Sequence, residues 1–296
     1  MPMPDFRAAH EKVRPSIVGL GITTENGEIS VIGTGFFYTD EGHIITNKHV
    51  LEGLLIERDG RKDVASGARA WVSFPHSNQG THSIQGMVAL RIGSALTFPN
   101  PFEGKDPMAS APTIPNFELV AAGFPEEADI AILEAILPKD LDFEIPFVPV
   151  DIHRVDSSFA VGTPVGILGY PGGLSFDSSN KPNQSLQLTP LLQTGIVAGV
   201  LPFPNVPNPE TFVLDIYVTP GSSGSPVFDM DGNVVGLVYA TRMRTWPLLR
   251  YENGQFIKSG TEFAHVPTSL GLALPSARFS DGLFEHIKAS RSKTKA

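Results

Sequence analysis

One short turn in this sequence has the residues to present a nucleophile. The segment from Thr219 to Pro226 reads T-P-G-S-S-G-S-P, a serine turn bounded by glycines between two strand-like runs. Gly221 permits a sharp turn, and the N–H groups of Gly221 and Ser223 can then point at one spot, where the oxyanion of an acyl transfer would form. Taken alone, the segment is better explained as an ordinary Gly/Ser hairpin loop, because such turns are common.

A histidine and an aspartate elsewhere in the chain fit the same chemistry. His49 stands near the end of G-T-G-F-F-Y-T-D-E-G-H-I-I-T-N-K-H-V, and Asp129 opens the apolar run D-I-A-I-L. A serine, a histidine and an aspartate together can perform nucleophilic acyl transfer. Each residue alone has a plainer explanation, a solvated carboxylate for Asp129 and a surface or core imidazole for His49.

The three segments together resemble trypsin-like serine peptidases of the chymotrypsin fold, and most closely their HtrA (Deg) branch. In that branch a G-x-G-F strand pair leads to T-N-x-H-V, followed by a D-[IL]-A-[VI]-L strand and then P-G-x-S-G-x-P. The order His49, Asp129, Ser223 is that of the chymotrypsin template and differs from subtilisin and the α/β-hydrolases. Further similar segments extend the resemblance over most of the chain: R-P-S-I-V at 14–18, G-T-P-V-G-I-L-G-Y-P-G at 162–172, Q-T-G-I-V at 193–197, D-G-N-V-V-G-L at 231–237 and G-L-A-L-P-S at 271–276.

The resemblance implies a role for each residue. Ser223 would attack the scissile carbonyl, His49 would take its proton and return it to the leaving amine, and Asp129 would hold the imidazole in the useful tautomer. The backbone N–H groups of Gly221 and Ser223 would form the oxyanion hole. No cofactor is implied, and no metal site is expected, because the sequence has no His/Asp/Glu cluster with ligand spacing.

The resemblance also implies where a substrate would lie. The specificity pocket of the family has its floor at a position occupied here by a tyrosine, and no carboxylate stands nearby to select Arg or Lys, so we expect an apolar pocket. The strand over 237–241 should present its backbone to an extended substrate. The residues expected to bind substrate are Tyr217, Val218 and Thr219 in the pocket and Tyr239, Ala240 and Thr241 on the strand.

The fold that would position these residues is predicted to be all-β. It consists of two antiparallel six-stranded barrels of the chymotrypsin type with short N- and C-terminal helices. Alternating and β-branched runs separated by turn signals support this prediction. Asp5 and Ser276 are predicted to cap helices over 6–12 and 277–289. The first barrel is predicted from strands over 16–24, 28–38, 44–46, 70–74, 84–90, 117–122 and 129–135, and the second from 164–168, 186–201, 211–218, 227–228, 234–241, 262–265 and 272–274.

We expect two subdomains with a linker over about 140–158. Residues 1–150 would form the N-terminal barrel with His49 and Asp129, and residues 151–296 the C-terminal barrel with Ser223, the last helix and a basic tail. Segments 93–115 and 242–260 are predicted as inserted loops. No PDZ domain is expected in the residues that follow Pro275.

Composition limits the class of partner and the location. A net charge of −9 argues against nucleic acid as the main partner. No apolar run approaches the ~18 residues of a membrane helix, and the absence of cysteine excludes disulfides and a thiol nucleophile. The first residues lack a basic region followed by an apolar core, so we expect a cytoplasmic protein unless a signal was removed. The oligomeric state stays open.

A serine endopeptidase acting on unfolded or flexible polypeptides is the function that these features favour. Two alternatives stay open: a catalytically silent trypsin-like fold that binds peptides or scaffolds a partner, and an esterase with the same machinery. Ser222 stands where zymogen-activated trypsins have an aspartate that pairs with a newly cut N-terminus. We therefore expect no requirement for N-terminal processing.

Overall fold

Fifteen strands and two short helices account for most of the regular structure in a computed structural model of the chain. It describes residues 4–25, 29–77, 83–97, 129–136, 148–155, 159–172, 174–176, 189–202, 204, 209–252, 255–280 and 282–283. The helices are α1 (Arg7–Val13) and α2 (Lys48–Glu52). The strands are β1 (Ile17–Thr23), β2 (Ile29–Phe37), β3 (His43–Thr46), β4 (Leu55–Arg58), β5 (Arg61–Val64), β6 (Ala68–Ser77), β7 (Ser83–Thr97), β8 (Ala131–Ile136), β9 (Pro164–Gly169), β10 (Leu174–Phe176), β11 (Leu191–Leu201), β12 (Thr211–Leu214), β13 (Pro226–Phe228), β14 (Val234–Glu252) and β15 (Gln255–Pro275).

The strands form two closed antiparallel barrels, as the sequence predicts. The first runs β1-β6-β7-β8-β3-β2 and closes because β1 and β2 pair along their length. The second runs β11-β12-β15-β14-β13-β9 and closes between β9 and β11. Strand β10 follows β9 in sequence but pairs with β2 of the first barrel, which the sequence did not predict. Closure pairs the first and last strand of each barrel with each other.

Side chains alternate between the inside of a barrel and the space between the barrels. On β1, Val18 and Leu20 fill the first barrel, while Ile17 belongs to a cluster that residues of both barrels share. On β2 the adjacent Phe37 and Phe36 divide in the same way. Successive strand residues point to opposite faces. The apolar runs of this sequence are therefore explained by strands that are buried on both faces.

The shared cluster joins the barrels to each other and to α1. Phe6, which precedes α1, packs edge-to-face on Phe228 of the second barrel with ring centroids 6.0 Å apart. From α1 and the two barrels the cluster includes Ala9, Val13, Phe36, Ile45, Ile132, Leu168, Tyr170, Phe228 and Leu237. Burial of these side chains holds the barrels in one relative position, since each apolar side chain removed from water contributes about 1.5–3 kcal/mol.

Both predicted helix caps need correction. The first helix begins one residue later than predicted, with Phe6 as its N-cap. Asp5 nevertheless accepts a hydrogen bond from the Arg7 N–H at 3.0 Å. At the other end, Ser276 caps no helix: it opens a 3-10 turn, Ser276–Arg278. Its hydroxyl instead donates to the His153 carbonyl and accepts the Val155 N–H at 3.0 Å.

Residues 242–252 and 255–260, predicted as part of an inserted loop, instead form a β-ribbon. Strands β14 and β15 continue pairing beyond the barrel, from Met243 opposite Pro267 to Glu252 opposite Gln255. The short strands predicted over 234–241, 262–265 and 272–274 belong to these two long ones. Glu252 pairs with Gln255, and the Asn253-Gly254 pair between them in the sequence was a usable hairpin signal.

The β4–β5 hairpin was missed altogether. Its turn is formed by Asp59 and Gly60, which have φ angles of 52° and 72°. Positive φ at both central residues is typical of a type I′ turn, for which Asp-Gly is a preferred sequence. The Asp-Gly pair was therefore a usable signal.

Several predictions fall partly or wholly outside the described residues: the strand over 117–122, most of the linker over 140–158, most of the helix over 277–289 and the basic tail. Of the loop predicted over 93–115, residues 93–97 are described, and they continue β7. Among the described helices, none has the length and apolar character needed to cross a membrane.

The shared cluster predicts that Phe6 supports the fold although it lies outside both barrels. Phe6 is 4% exposed, and replacing it with alanine should lower the free energy of unfolding by about 3–5 kcal/mol through lost transfer energy and a cavity. Urea unfolding at equilibrium measures this loss. Met230, which is 43% exposed, serves as the control: Met230→Ala should change stability by less than about 0.5 kcal/mol. A Phe6→Ala protein as stable as the control would show that α1 is not part of the cooperative unit.

Candidate active site

His49 is held by Asp129 through two hydrogen bonds. The His49 backbone N–H donates to Oδ1 at 3.0 Å, and the ring Nδ1 lies 2.6 Å from Oδ2. The carboxylate can only accept from the ring, so in the neutral imidazole the proton lies on Nδ1 and Nε2 is left as an acceptor. The side chain of His49 is 46% exposed and that of Asp129 20%, so solvent and a ligand can reach the ring.

Local packing explains why this pair forms. Val50 and Leu51 of α2 are buried in the first barrel, which leaves His49 on the open side of the helix. Asn47 precedes α2 and donates from Nδ2 to the Asp129 carbonyl at 2.8 Å, so the two segments are tied side by side. Strand β3 pairs with β8, which brings Asp129 level with the start of α2.

The turn that carries Ser223 is defined by backbone hydrogen bonds. The Ser222 N–H donates to the Thr219 carbonyl and the Ser225 N–H to the Ser222 carbonyl, each at 3.0 Å. Gly221 and Gly224 have φ angles of 90° and 84°, a region that side-chain-bearing residues rarely adopt. A Cβ at Gly224 would also lie 1.9 Å from the Thr34 carbonyl oxygen. Both glycines are therefore required by the shape of the turn.

Two N–H groups of this turn, on the buried Gly221 and the half-buried Ser223, have no acceptor in the part of the chain that the structure describes. Within the described residues, neither the Gly221 N–H nor the Ser223 N–H donates a hydrogen bond to the chain. Unpaired buried N–H groups are rare in folded proteins. They are the two donors that the sequence predicts for an oxyanion hole.

The first barrel contacts the Ser223 turn mainly through Thr34 of β2. The Thr34 N–H donates to the Ser223 carbonyl at 2.8 Å, and its hydroxyl donates to the Gly221 carbonyl at 2.7 Å. Thr46, which follows on β3 toward His49, donates from its hydroxyl to the Thr34 carbonyl at 2.7 Å. The turn and the His49–Asp129 pair are thus connected through two buried threonines. No hydrogen bond in the described residues joins the His49 ring to the Ser223 hydroxyl.

The residues predicted for the specificity pocket have three different environments. Tyr217 is 53% exposed, and its carbonyl accepts a hydrogen bond from the Gln193 side chain. Val218 is buried in the core of the second barrel. The Thr219 hydroxyl accepts the Gly172 N–H at 3.1 Å and so faces the segment after β9. No carboxylate is found among the three.

The residues predicted to pair with a substrate lie on β14 beyond its pairing with β13. That pairing ends at Leu237, and in the described chain no strand follows on that side of Tyr239, Ala240 and Thr241. The Tyr239 hydroxyl lies 3.2 Å from the Thr211 hydroxyl, and burial raises its pKa more than this hydrogen bond lowers it. The opposite side of β14 is occupied by β15.

Sequence reasoning missed the buried hydroxyls that connect these segments. Thr34 and Thr46 lie inside the G-T-G-F and I-I-T-N motifs, which were recognised for their glycines, their strands and their histidine. A polar residue between apolar strand residues was the available signal, because a buried hydroxyl must find a partner. Among the described residues, no group of three or more His, Asp or Glu side chains is placed to hold a metal ion.

Comparisons with known proteins identify the family of this chain. A family profile described as "Trypsin-like peptidase domain" matches residues 33–237. Protease Do-like 5, chloroplastic, of Arabidopsis thaliana is 24% identical over 245 residues, which cover 81% of this chain and 55% of the relative. The chain therefore spans about half the length of the curated relative it matches.

Solved structures of similar proteins include two proteases. The HtrA-type protease AlgW with a tripeptide is 16% identical, with 96% of this chain and 64% of that chain covered and a TM-score of 0.47. The serine endoprotease from Yersinia pestis is 17% identical, with 97% and 68% covered and a TM-score of 0.47.

The short contact between His49 and Asp129 has a spectroscopic consequence. A charge-assisted hydrogen bond of this length should move the Nδ1 proton of His49 far downfield of the amide region in ¹H NMR. The resonance should disappear in Asp129→Ala and in His49→Gln. Asp215→Asn, which changes an exposed carboxylate in the second barrel, should leave it in place. A downfield resonance that survived Asp129→Ala would show that another group holds the ring.

Proposed function

This chain belongs to the trypsin-like peptidase family, and we propose that it is a serine endopeptidase whose catalytic residues are Ser223, His49 and Asp129. The observation that carries the proposal is the pair of hydrogen bonds from His49 to Asp129, which leaves Nε2 free to accept a proton. The turn that holds Ser223 supplies the other half of the machinery from the second barrel.

In the proposed reaction, Oγ of Ser223 attacks the scissile carbonyl while its proton passes to Nε2 of His49. The carbonyl oxygen becomes an oxyanion and accepts from the N–H groups of Gly221 and Ser223. The C–N bond then breaks, and the amine leaves with the proton from His49. Water hydrolyses the acyl-enzyme in the same way, again with His49 as the base. Asp129 stabilises the imidazolium in both steps.

The open side of β14 supports a polypeptide as the substrate. An extended peptide placed there would continue the sheet and would receive main-chain hydrogen bonds from residues 239–241. Such pairing requires a substrate segment that can adopt an extended conformation. The proposal therefore favours unfolded or flexible segments over folded surfaces as substrates.

A catalytically silent peptide-binding protein is the second candidate, and one observation favours it. No hydrogen bond joins His49 to Ser223 in the described residues. Catalytic hydrogen bonds are often long or misaligned before substrate binds, so this geometry is compatible with both functions. Covalent labelling of the serine separates the two.

A fluorophosphonate probe tests the nucleophile directly. The native protein should be labelled, with the adduct at Ser223 by mass spectrometry, and should cleave casein. Ser223→Ala should remove both activities without loss of the fold, because a partly exposed hydroxyl contributes little packing energy.

Ser222→Ala is the neighbouring control. Among the described residues the Ser222 hydroxyl makes one long contact of 3.4 Å, accepting from the Thr219 N–H, so this variant should keep most of both activities. A native protein that binds peptides but takes up no probe would favour the silent scaffold. Casein cleavage by folded Ser223→Ala would disprove the assignment of the nucleophile.

The pocket environment predicts the residue that precedes the cleaved bond. Tyr217, Val218 and Thr219 bring no negative charge, so small or medium apolar residues should be preferred there. A peptide library analysed by mass spectrometry measures this preference. A dominant preference for Arg or Lys would mean that another segment builds the pocket floor.

A further inference from the structure

We propose that Thr34, on β2 of the first barrel, is a positioning residue for the oxyanion turn. This turn is the segment 219–225 of the second barrel, which carries the N–H groups of Gly221 and Ser223. The inference rests on the proposed function, since it concerns how the two N–H groups of that site are aimed. Thr34 is fully buried, and the sequence analysis gave it no role.

The hydroxyl of Thr34 stands in a directed chain of hydrogen bonds. The Tyr170 N–H donates to Oγ1 at 3.0 Å, and Oγ1 lies 2.7 Å from the Gly221 carbonyl oxygen. Because the carbonyl can only accept, the hydroxyl proton must point at Gly221. The Thr34 side chain on β2 therefore connects Tyr170, at the end of β9, with Gly221 in the oxyanion turn.

Each peptide plane of the turn is held by a different group. The Gly172 N–H holds the Pro220 carbonyl at 2.7 Å, which sets the plane that carries the Gly221 N–H. The Ser225 N–H holds the Ser222 carbonyl, which sets the plane that carries the Ser223 N–H. The plane between these two contains the Ser222 N–H, which donates to the Thr219 carbonyl at 3.0 Å, and the Gly221 carbonyl. In the described chain the hydrogen-bond donor to this carbonyl is the Thr34 hydroxyl.

Gly221 makes the middle plane the weak point of the turn. A glycine at φ 90° can rotate to other regions at little steric cost. Rotation of the middle plane would turn the two oxyanion donors away from a common point. Two hydrogen bonds oppose this rotation: the Ser222 N–H donates to the Thr219 carbonyl within the turn, and the Thr34 hydroxyl on β2 holds the Gly221 carbonyl from the first barrel. The Thr34 N–H, which donates to the Ser223 carbonyl, fixes the far end of the turn.

Substitutions at Thr34 separate the hydroxyl from the shape of the side chain. Thr34→Val keeps the branched shape but leaves the Gly221 carbonyl and the Tyr170 N–H unpaired. Thr34→Ser keeps both hydrogen bonds, and Thr34→Cys supplies only a weak donor and acceptor. If the hydroxyl aims the turn, activity should follow the order Thr ≈ Ser > Cys > Val.

The second barrel offers a matched control. Ser276 is also fully buried, and its hydroxyl also accepts one backbone N–H and donates to one carbonyl, those of Val155 and His153. It contacts neither the turn nor the His49–Asp129 pair. Ser276→Ala should therefore lower thermal stability as Thr34→Val does, without the effect on reaction rate.

The experiment is inactivation by a fluorophosphonate, in which the Ser223 Oγ–P bond forms, the P–F bond breaks, fluoride leaves and the proton passes to His49. The dependence of inactivation on probe concentration separates the limiting rate from the binding constant. Thr34→Val should lower the limiting rate about 10- to 100-fold, as expected when oxyanion donors are misplaced. The binding constant should change less than about threefold, and Thr34→Ser should restore the rate.

The outcomes separate this inference from the proposed function. If the native protein takes up no probe, the proposed function fails. If the native protein reacts and Thr34→Val reacts no more slowly than Ser276→Ala, the role of Thr34 is disproved while the peptidase assignment stands. Should Thr34→Val not fold, the comparison of Thr34→Cys with Thr34→Ser decides, and equal limiting rates for these two would overturn the proposal.

Discussion

The packing of the two barrels against each other decides the geometry of the candidate site. His49 and Asp129 lie in the first barrel and Ser223 in the second, so any shift between the barrels separates the base from the nucleophile. An apolar cluster that runs from α1 through both barrels opposes such a shift. Apolar contact is not directional, however, and fixes separation better than it fixes orientation. The hydrogen bonds of Thr34 add the missing direction where the barrels meet.

All three polar groups of Thr34 are hydrogen-bonded where the barrels meet. Its N–H, its carbonyl and its hydroxyl all have partners, although the residue is fully buried. A buried polar group without a partner costs about 1–3 kcal/mol, so the loss of any one of these partners should lower the stability of the folded protein. Nearby, Tyr170 uses its backbone N–H in this network, while burial raises the pKa of its hydroxyl. Each half of the site is thus assembled within its own barrel, and a few directed contacts then join the halves.

The local conformation of the motifs around His49, Asp129 and Ser223 follows from the sequence more directly than the strands around them do. In these motifs the type of a residue can be explained by its local conformation or burial. Gly224 is a glycine because the turn needs positive φ there, and Val50 is apolar because it is buried beside His49. The long ribbon of β14 and β15 was missed although the Asn253-Gly254 pair, which stands between the paired residues Glu252 and Gln255, is a local hairpin signal. Its flanking residues are polar, aromatic and proline-containing and do not alternate as in a typical strand. Strand β10 has no such signal, because its partner lies in the other barrel. Thr34 was overlooked because a threonine in a strand is unremarkable until its burial is known.

The unpaired N–H groups of Gly221 and Ser223 suggest how the fold prepares the proposed reaction. Holding two donors without acceptors is unfavourable in a folded protein, and the cost is met when the chain folds, before any substrate arrives. A developing oxyanion would then gain these hydrogen bonds without reorganising the site, whereas a ground-state carbonyl carries less charge to attract them. The stabilisation is therefore larger in the transition state, which is the condition for a faster reaction. It depends on keeping both donors aimed while they have no partner, and the hydrogen bonds that hold the neighbouring carbonyls meet that requirement.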